Sequence, residues 1–167
     1  TADQIRKQVE DWEQKTPALG SKIIARAWCD NVFKKLLLED GTKAVAQYDI
    51  GMGDLELKVI ENTPEVHNVV VCTLCSCYPR PVLGLPPAWY KSSNYRRRVI
   101  REPRAVLKEF GTDIPEEIEL RVHDSTADLR YLVLPMRPDQ TKNMTETELS
   151  SIVTRDSMIG VTTVRVP

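Results

Sequence analysis

The chain has 167 residues and a formal net charge of −1, enough for one ordinary domain with a core of its own. So even a balance supplies no global basic field to recruit nucleic acid or an anionic membrane, and no apolar run approaches the roughly 20 residues of a spanning helix. Nothing at its start reads as a charged-apolar-small secretory signal, which together with free thiols predicts the cytoplasm.

From Ala2 to Lys15 the residues Ile5, Val9 and Trp12 recur at helical spacing and form one thin apolar stripe, the mark of a docking arm. Thr16-Pro17 breaks it, and Pro17 opens a second helix through Ile23, Ile24, Ala27 and Trp28. Asp30-Asn31 is a cap signal for a third helix carrying Phe33, Leu36, Leu37 and Leu38, with Gly41 as its stop. A further helix follows from Thr42 to about Tyr48, then the flexible Gly51-Met52-Gly53. Residues 1–50 are therefore predicted to be a helical N-terminal arm. Trp12 and Trp28 read as packing residues, and Cys29 as a buried small side chain rather than a ligand.

From Leu55 the period changes to two: Leu55, Leu57 and Val59 alternate with polar neighbours as in a half-buried strand. His67 to Val71 then reads as a buried strand that runs into Cys72-Thr73-Leu74-Cys75-Ser76-Cys77, where three of the four cysteines stand within six residues. Tyr78-Pro79-Arg80-Pro81 turns the chain at once. Thiolate is the form that binds metal. There is no second cysteine pair to complete a zinc tetrahedron, and Cys75-Ser76-Cys77 is too tight for two tetrahedral positions. A Cys-x-Cys segment can instead wrap one face of an ion, with sulfurs of Cys75 and Cys77 and amide nitrogens of Ser76 and Cys77 in a plane and Cys72 below it. Such a site suits a transition ion and leaves a position open for Lewis-acid chemistry. A disulfide with one free thiol, or an inert cysteine core, answers to the same spacing.

Residues Ser93 to Phe110 are predicted to be helical, restarting at Pro103 and ending at Gly111, with Arg96, Arg97, Arg98, Arg101 and Arg104 on their surface. With a near-neutral chain this reads as a solvated or subunit-facing helix whose charges meet acids such as Glu102 and Glu109, not a nucleic-acid site. Glu117–His123 and Leu129–Leu134 alternate as two strands joined by a hairpin at Asp124 to Asp128. Thr145 to Glu148 forms a capping box for a short helix, and Ile159 to Val166 reads as a last strand. His123 reads as a packed or exposed histidine, and Ser157 has no nearby His/Asp partner for acyl transfer. Without regular βαβ alternation the fold class is α+β, with residues 51–167 as a layered domain carrying the cysteine loop.

The run Val71 to Tyr78 resembles the metal-binding motif of nitrile hydratase α subunits and of the related thiocyanate hydrolase γ subunit. The likeness continues through Pro81 to Ser92, Tyr95 to Arg104, Arg130 to Pro135 with Arg137-Pro138, Val153 to Asp156 and Ile159 to Val161. Upstream, Ala27-Trp28, Leu37 to Gly41 and Glu61 to Pro64 fit as well. The resemblance implies an α-β-β-α layered domain and a hydro-lyase that turns a nitrile into an amide. It implies Cys72 as axial thiolate, Cys75 and Cys77 as equatorial sulfurs oxidised to sulfinate and sulfenate, and the amide nitrogens of Ser76 and Cys77 as the remaining ligands. It makes Cys77 and Cys75 catalytic, and Arg80, Arg130 and Trp89 the residues of the substrate pocket or its outer support. Thr73 implies Co(III), where serine would imply Fe(III). The β-type partner subunit of the family implies a heterodimer or larger heteromer. Arg80 stands where nitrile hydratases of this type usually carry tryptophan, and Gly51 to Asp54 where many have Gln-Gly-Glu. Tyr78-Pro79-Arg80-Pro81 therefore keeps thiocyanate hydrolysis as an alternative, beside a non-catalytic metal or redox module.

Overall fold

The chain is described by a computed structural model for residues 1–7 and 17–167. Residues 2–7 are helical and exposed; the rest of the predicted arm, with Val9 and Trp12, lies outside the described residues. Helix α1, Ala18–Cys29, buries Ile23, Ile24, Ala25 and Ala27. Helix α2, Asn31–Glu39, is started by Asp30, whose carboxylate accepts the amides of Val32 and Phe33 at 3.0 and 3.1 Å. Helix α3, Gly41–Ala46, is capped in the same way by Asp40. Gly41 thus follows the end of α2, as expected, and is also the first residue of α3. A Cβ there would lie 2.5 Å from the Leu57 carbonyl oxygen.

Among the described residues four strands form two parallel pairs. Strand β1, Glu56–Glu61, runs beside β4, Leu129–Leu134, and β2, Val66–Val71, beside β3, Glu119–Asp124. The predicted hairpin is therefore not formed: β3 and β4 belong to different sheets. Residues 124–128 carry the chain across instead, with Ser125 N–H donating to the Val71 carbonyl and Glu56 N–H to that of Asp128. Parallel pairing of this kind needs long connections. Between β2 and β3 these are helices α4, Arg80–Leu83, α5, Ala88–Lys91, α6, Ser93–Arg101, and α7, Pro103–Glu109. Helices α2 and α3 pack on β1 and α7 packs on β3, so the two sheets lie between helices in an α+β fold. Helix α8, Glu146–Ile152, carries the expected capping box at Thr145 and Glu148 and packs on α1.

The predicted last strand is not formed either. Thr154 and Ser157 make a second capping box, and residues Arg155–Ile159 become helix α9, ended by left-handed Gly160. A Cβ at Gly160 would sit 2.1 Å from the Asn68 carbonyl oxygen, so only glycine lets this turn press on β2. Ile159 and Val161 fill the core without any ladder.

The Gly160 carbonyl accepts from His67 Nε2 at 2.7 Å, which leaves Nδ1 of a neutral ring facing the Asn62 amide at 3.4 Å. Asn62 Oδ1 in turn accepts from the backbone and side-chain amides of Asn68, whose own Oδ1 accepts from His123 Nε2 at 2.7 Å. Burial lowers the pKa of His67 and of His123. A group that binds its proton less readily folded than unfolded stabilises fully above its unfolded pKa of about 6.5 and loses that contribution as pH falls through it. Urea midpoints should therefore drop between pH 7 and pH 5, and His67→Gln should show a smaller pH slope than the parent; equal slopes would remove His67 from the account.

Candidate metal centre

Strand β2 is buried from His67 to Val71, and it delivers Cys72 at the point where its ladder with β3 ends, Val71 opposite Asp124. Beyond that pair the carboxylate of Asp124 takes over from the ladder. It accepts the Thr73 amide at 2.9 Å and the Thr73 hydroxyl at 2.6 Å. From the other side Arg96 on α6 donates Nε to the Cys72 carbonyl at 3.1 Å and Nη2 to that of Thr73 at 2.8 Å. The far end of the loop is held by the buried Tyr90, whose hydroxyl donates to the Cys77 carbonyl at 2.7 Å. Tyr95 donates to the Val70 carbonyl at 2.6 Å.

So pinned, the loop brings together the three cysteines that the sequence singles out. Cys72 and Cys75 sulfurs are 3.5 Å apart, Cys75 and Cys77 sulfurs 2.9 Å, and all three lie within 4.8 Å of one another. Those separations exceed a disulfide bond, and all four cysteines are free. Cys72 and Cys77 are buried and Cys75 is exposed. Hydrogen bonds from the Cys77 and Cys72 thiols draw the Cys75 pKa down to about 7, helped by the backbone amides of Cys77 and Ser76. Burial pushes Cys77 up to about 12, with its hydrogen bonds to Cys75 and Cys72 adding to the rise and the Arg130 charge opposing it. Within the cluster the Cys75 amide donates to the Cys72 sulfur at 3.3 Å. Soft sulfurs with amide nitrogens are a donor set for a transition ion, not for magnesium or calcium.

The cluster opens into a cavity of about 370 Å³ lined by Cys75, Ser76, Cys77, Arg80, Arg130 and Leu55 among others. Arg130 stands opposite Leu57 in the β1–β4 ladder and donates to the carbonyls of Tyr78 at 3.2 Å and Ala127 at 3.1 Å. Its Nε is buried and has no acceptor among the described residues. Trp89 is elsewhere: its ring stands edge-on to Tyr95 at 4.9 Å and Phe110 at 4.7 Å and does not line the cavity. Cys29, expected to be buried, is exposed at the last residue of α1 and stands outside the cluster. Arg98 is taken up by Glu102 and Glu109, as the charge pattern predicts.

Three supports escaped the sequence reading. Asp124 looks like a turn residue until the parallel register sets it opposite Val71. Arg96 is one of a run of arginines, and only the helix phase distinguishes it. Tyr90 reads as one more aromatic in a proline-rich loop, although a buried tyrosine needs a partner for its hydroxyl.

The family profile described as nitrile hydratase, alpha chain, matches residues 1–162. The chain is 56% identical to the low-molecular weight cobalt-containing nitrile hydratase subunit alpha of Rhodococcus rhodochrous, over 90% of this chain and 73% of that one. It is 51% identical to the cobalt-containing nitrile hydratase subunit alpha of Pseudonocardia thermophila, over 96% and 80%. It is 47% identical to the thiocyanate hydrolase subunit gamma of Thiobacillus thioparus, over 87% and 65%. Among solved structures, an Fe-type nitrile hydratase from Comamonas testosteroni Ni1 superposes with a TM-score of 0.93 at 41% identity, covering 100% of this chain and 82% of that one. A recombinant thiocyanate hydrolase with partially modified cobalt centres gives 0.91 at 42%, covering 97% and 81%.

Removing the buried hydroxyl in Tyr90→Phe strands the Cys77 carbonyl and should cost about 1–2 kcal/mol of unfolding free energy, read as a lower urea midpoint. An unchanged midpoint would show that the loop is not held from that end.

Proposed function

We infer that this chain, which belongs to the nitrile hydratase α-chain family, is the metal-bearing subunit of a cobalt enzyme that hydrates nitriles to amides. The observation that carries this is the cluster of three sulfurs within 4.8 Å of one another on the wall of a cavity. Cys72, Cys75 and Cys77 would hold the ion through sulfur, and Ser76 and Cys77 through amide nitrogen. Bound there, Co(III) supplies Lewis acidity that opens a nitrile carbon to attack. Its identity is supported by Thr73 and by the cobalt-containing relatives; iron is the alternative.

The chain's own residues take the remaining roles. Cys77 would deliver the attacking oxygen, from a water that it orients or from its own sulfenate, whose oxygen a water then replaces, and Cys75 would carry the sulfinate. Arg130 suits an oxygen on Cys77, because its charge already acts on that sulfur and its Nε is without an acceptor. Leu55 gives the cavity an apolar side, whereas Arg80 gives it a cationic one. Arg80 is the specific observation behind a second reading, in which the substrate is the thiocyanate anion and the products are carbonyl sulfide and ammonia.

A β-type partner subunit fits this site. Leu74 is 86% exposed and Cys75 is exposed beside it, yet oxidised sulfurs stay ordered only where water is kept out. The exposed helical residues 2–7, at the head of the 1–50 arm, are a further surface for that partner, while residues 51–167 carry the cysteine loop. No helix among the described residues is long and apolar enough to cross a membrane, and free thiols fit the reducing cytoplasm.

Co-expression with a β-type subunit in medium with cobalt as the sole added transition metal tests the whole reading. Stoichiometric cobalt, amide from a small nitrile, and peptide masses with about two added oxygens on Cys75 and one on Cys77 are expected. Carbonyl sulfide from thiocyanate without amide from any nitrile would select the second reading. Unmodified thiols in an active preparation would overturn the assignment to Cys75 and Cys77.

A further inference from the structure

We propose that Arg96 is a positioning residue for the cysteine loop, the clamp that turns the Cys72 thiol toward Cys75 and Cys77; the inference rests on the metal reading above. The loop has no ladder of its own. Its first two carbonyls, those of Cys72 and Thr73, leave β2 where the strand pairing has ended, and both are taken by one guanidinium, from Nε at 3.1 Å and Nη2 at 2.8 Å. These two donors lie on one edge of a rigid plane, and they fix the relative direction of two successive peptides. Asp124 holds the same Thr73 by its amide and hydroxyl. With its amide, hydroxyl and carbonyl all bound, Thr73 leaves Cys72 little freedom in the direction of its side chain.

Helix phase assigns this task to Arg96 among its neighbours. Tyr95 is buried and reaches the Val70 carbonyl, so the next residue emerges along the edge of β2 over the start of the loop. Arg97 is exposed, and Arg98 is held by Glu102 and Glu109. The cysteine-bearing turn is thus gripped from helix α6 and from strand β3 at once. The Cys75 amide, which donates to the Cys72 sulfur at 3.3 Å, depends on the direction so imposed.

The test uses the co-expressed complex with Arg96→Lys, Arg96→Ala and, as a charge control on the same helix, Arg97→Ala. Hydrogen exchange of the peptide spanning residues 72–77 should speed up by about tenfold or more in both Arg96 variants, while that of β2 holds. Cobalt retained per folded chain should fall by about 10- to 100-fold, and the sulfur-to-cobalt absorption should shift in whatever metal remains. Lysine keeps the charge but has no planar fork, so Arg96→Lys should resemble Arg96→Ala and not the parent. Wild-type loop exchange in Arg96→Lys, or full cobalt with an unshifted band, overturns the proposal. If the parent complex itself takes up neither cobalt nor iron, the metal reading fails, and loop exchange alone decides the clamp.

Discussion

The cysteine loop depends on where the β2–β3 ladder stops. Parallel register sets Val71 opposite Asp124 as the last pair, so the chain leaves the sheet with the Thr73 amide facing a carboxylate instead of a neighbouring strand. Shift the register by one and every side chain of β2 changes face. The Asp124 carboxylate would then have no Thr73 to accept. Both faces of β2 are buried, with Val69, Val70 and Val71 essentially without solvent contact, so its polar residues fix the alignment. The polar chain from Gly160 through His67, Asn62 and Asn68 to His123 is the lock on this strand. Its hydrogen-bonding groups are satisfied in one alignment only.

Much of this was legible in the sequence, for physical reasons that can be named. The caps at Asp30 and Thr145 are local, so the residues that make them stand within a few positions of each other. The cysteine spacing is likewise local, and six residues suffice to bring three sulfurs together. The hairpin failed because periodicity identifies a strand without identifying its partner. Turn-like Asp124 to Asp128 serves equally well to cross between sheets. The final strand failed because two capping hydroxyls, Thr154 and Ser157, and one left-handed glycine outweigh a short run of alternating residues. Arg96 and Asp124 were missed for one reason: each meets the loop across a long sequence separation, and nothing in a stretch of arginines or an Asp-Ser turn announces a long-range partner.

The site holds two demands in tension. A soft metal centre wants its sulfurs close and its donors desolvated, and Cys72 and Cys77 are accordingly buried. A catalytic centre also wants an open approach, and Cys75 is exposed on a cavity with arginines on its wall. The chain reconciles these by holding the loop through its carbonyls, at Cys72, Thr73 and Cys77. The sulfurs are thereby positioned from the backbone, and none of the groups that hold the loop competes for them.

Thr73 shows how the outer contacts reach into the cysteine loop. Serine at this position would offer the same hydroxyl to Asp124, so the bond at 2.6 Å does not by itself separate the two residues. What threonine adds is a methyl group on Cβ, which restricts χ1 to fewer rotamers. The restriction keeps the hydroxyl on the carboxylate without an entropic cost at each closure of the loop, and it stiffens the peptide that carries Cys72 into place. The same logic explains why Thr73 is bound at its amide, its hydroxyl and its carbonyl. The residue between Cys72 and the rest of the cluster is the joint through which sheet and helix act on the three sulfurs.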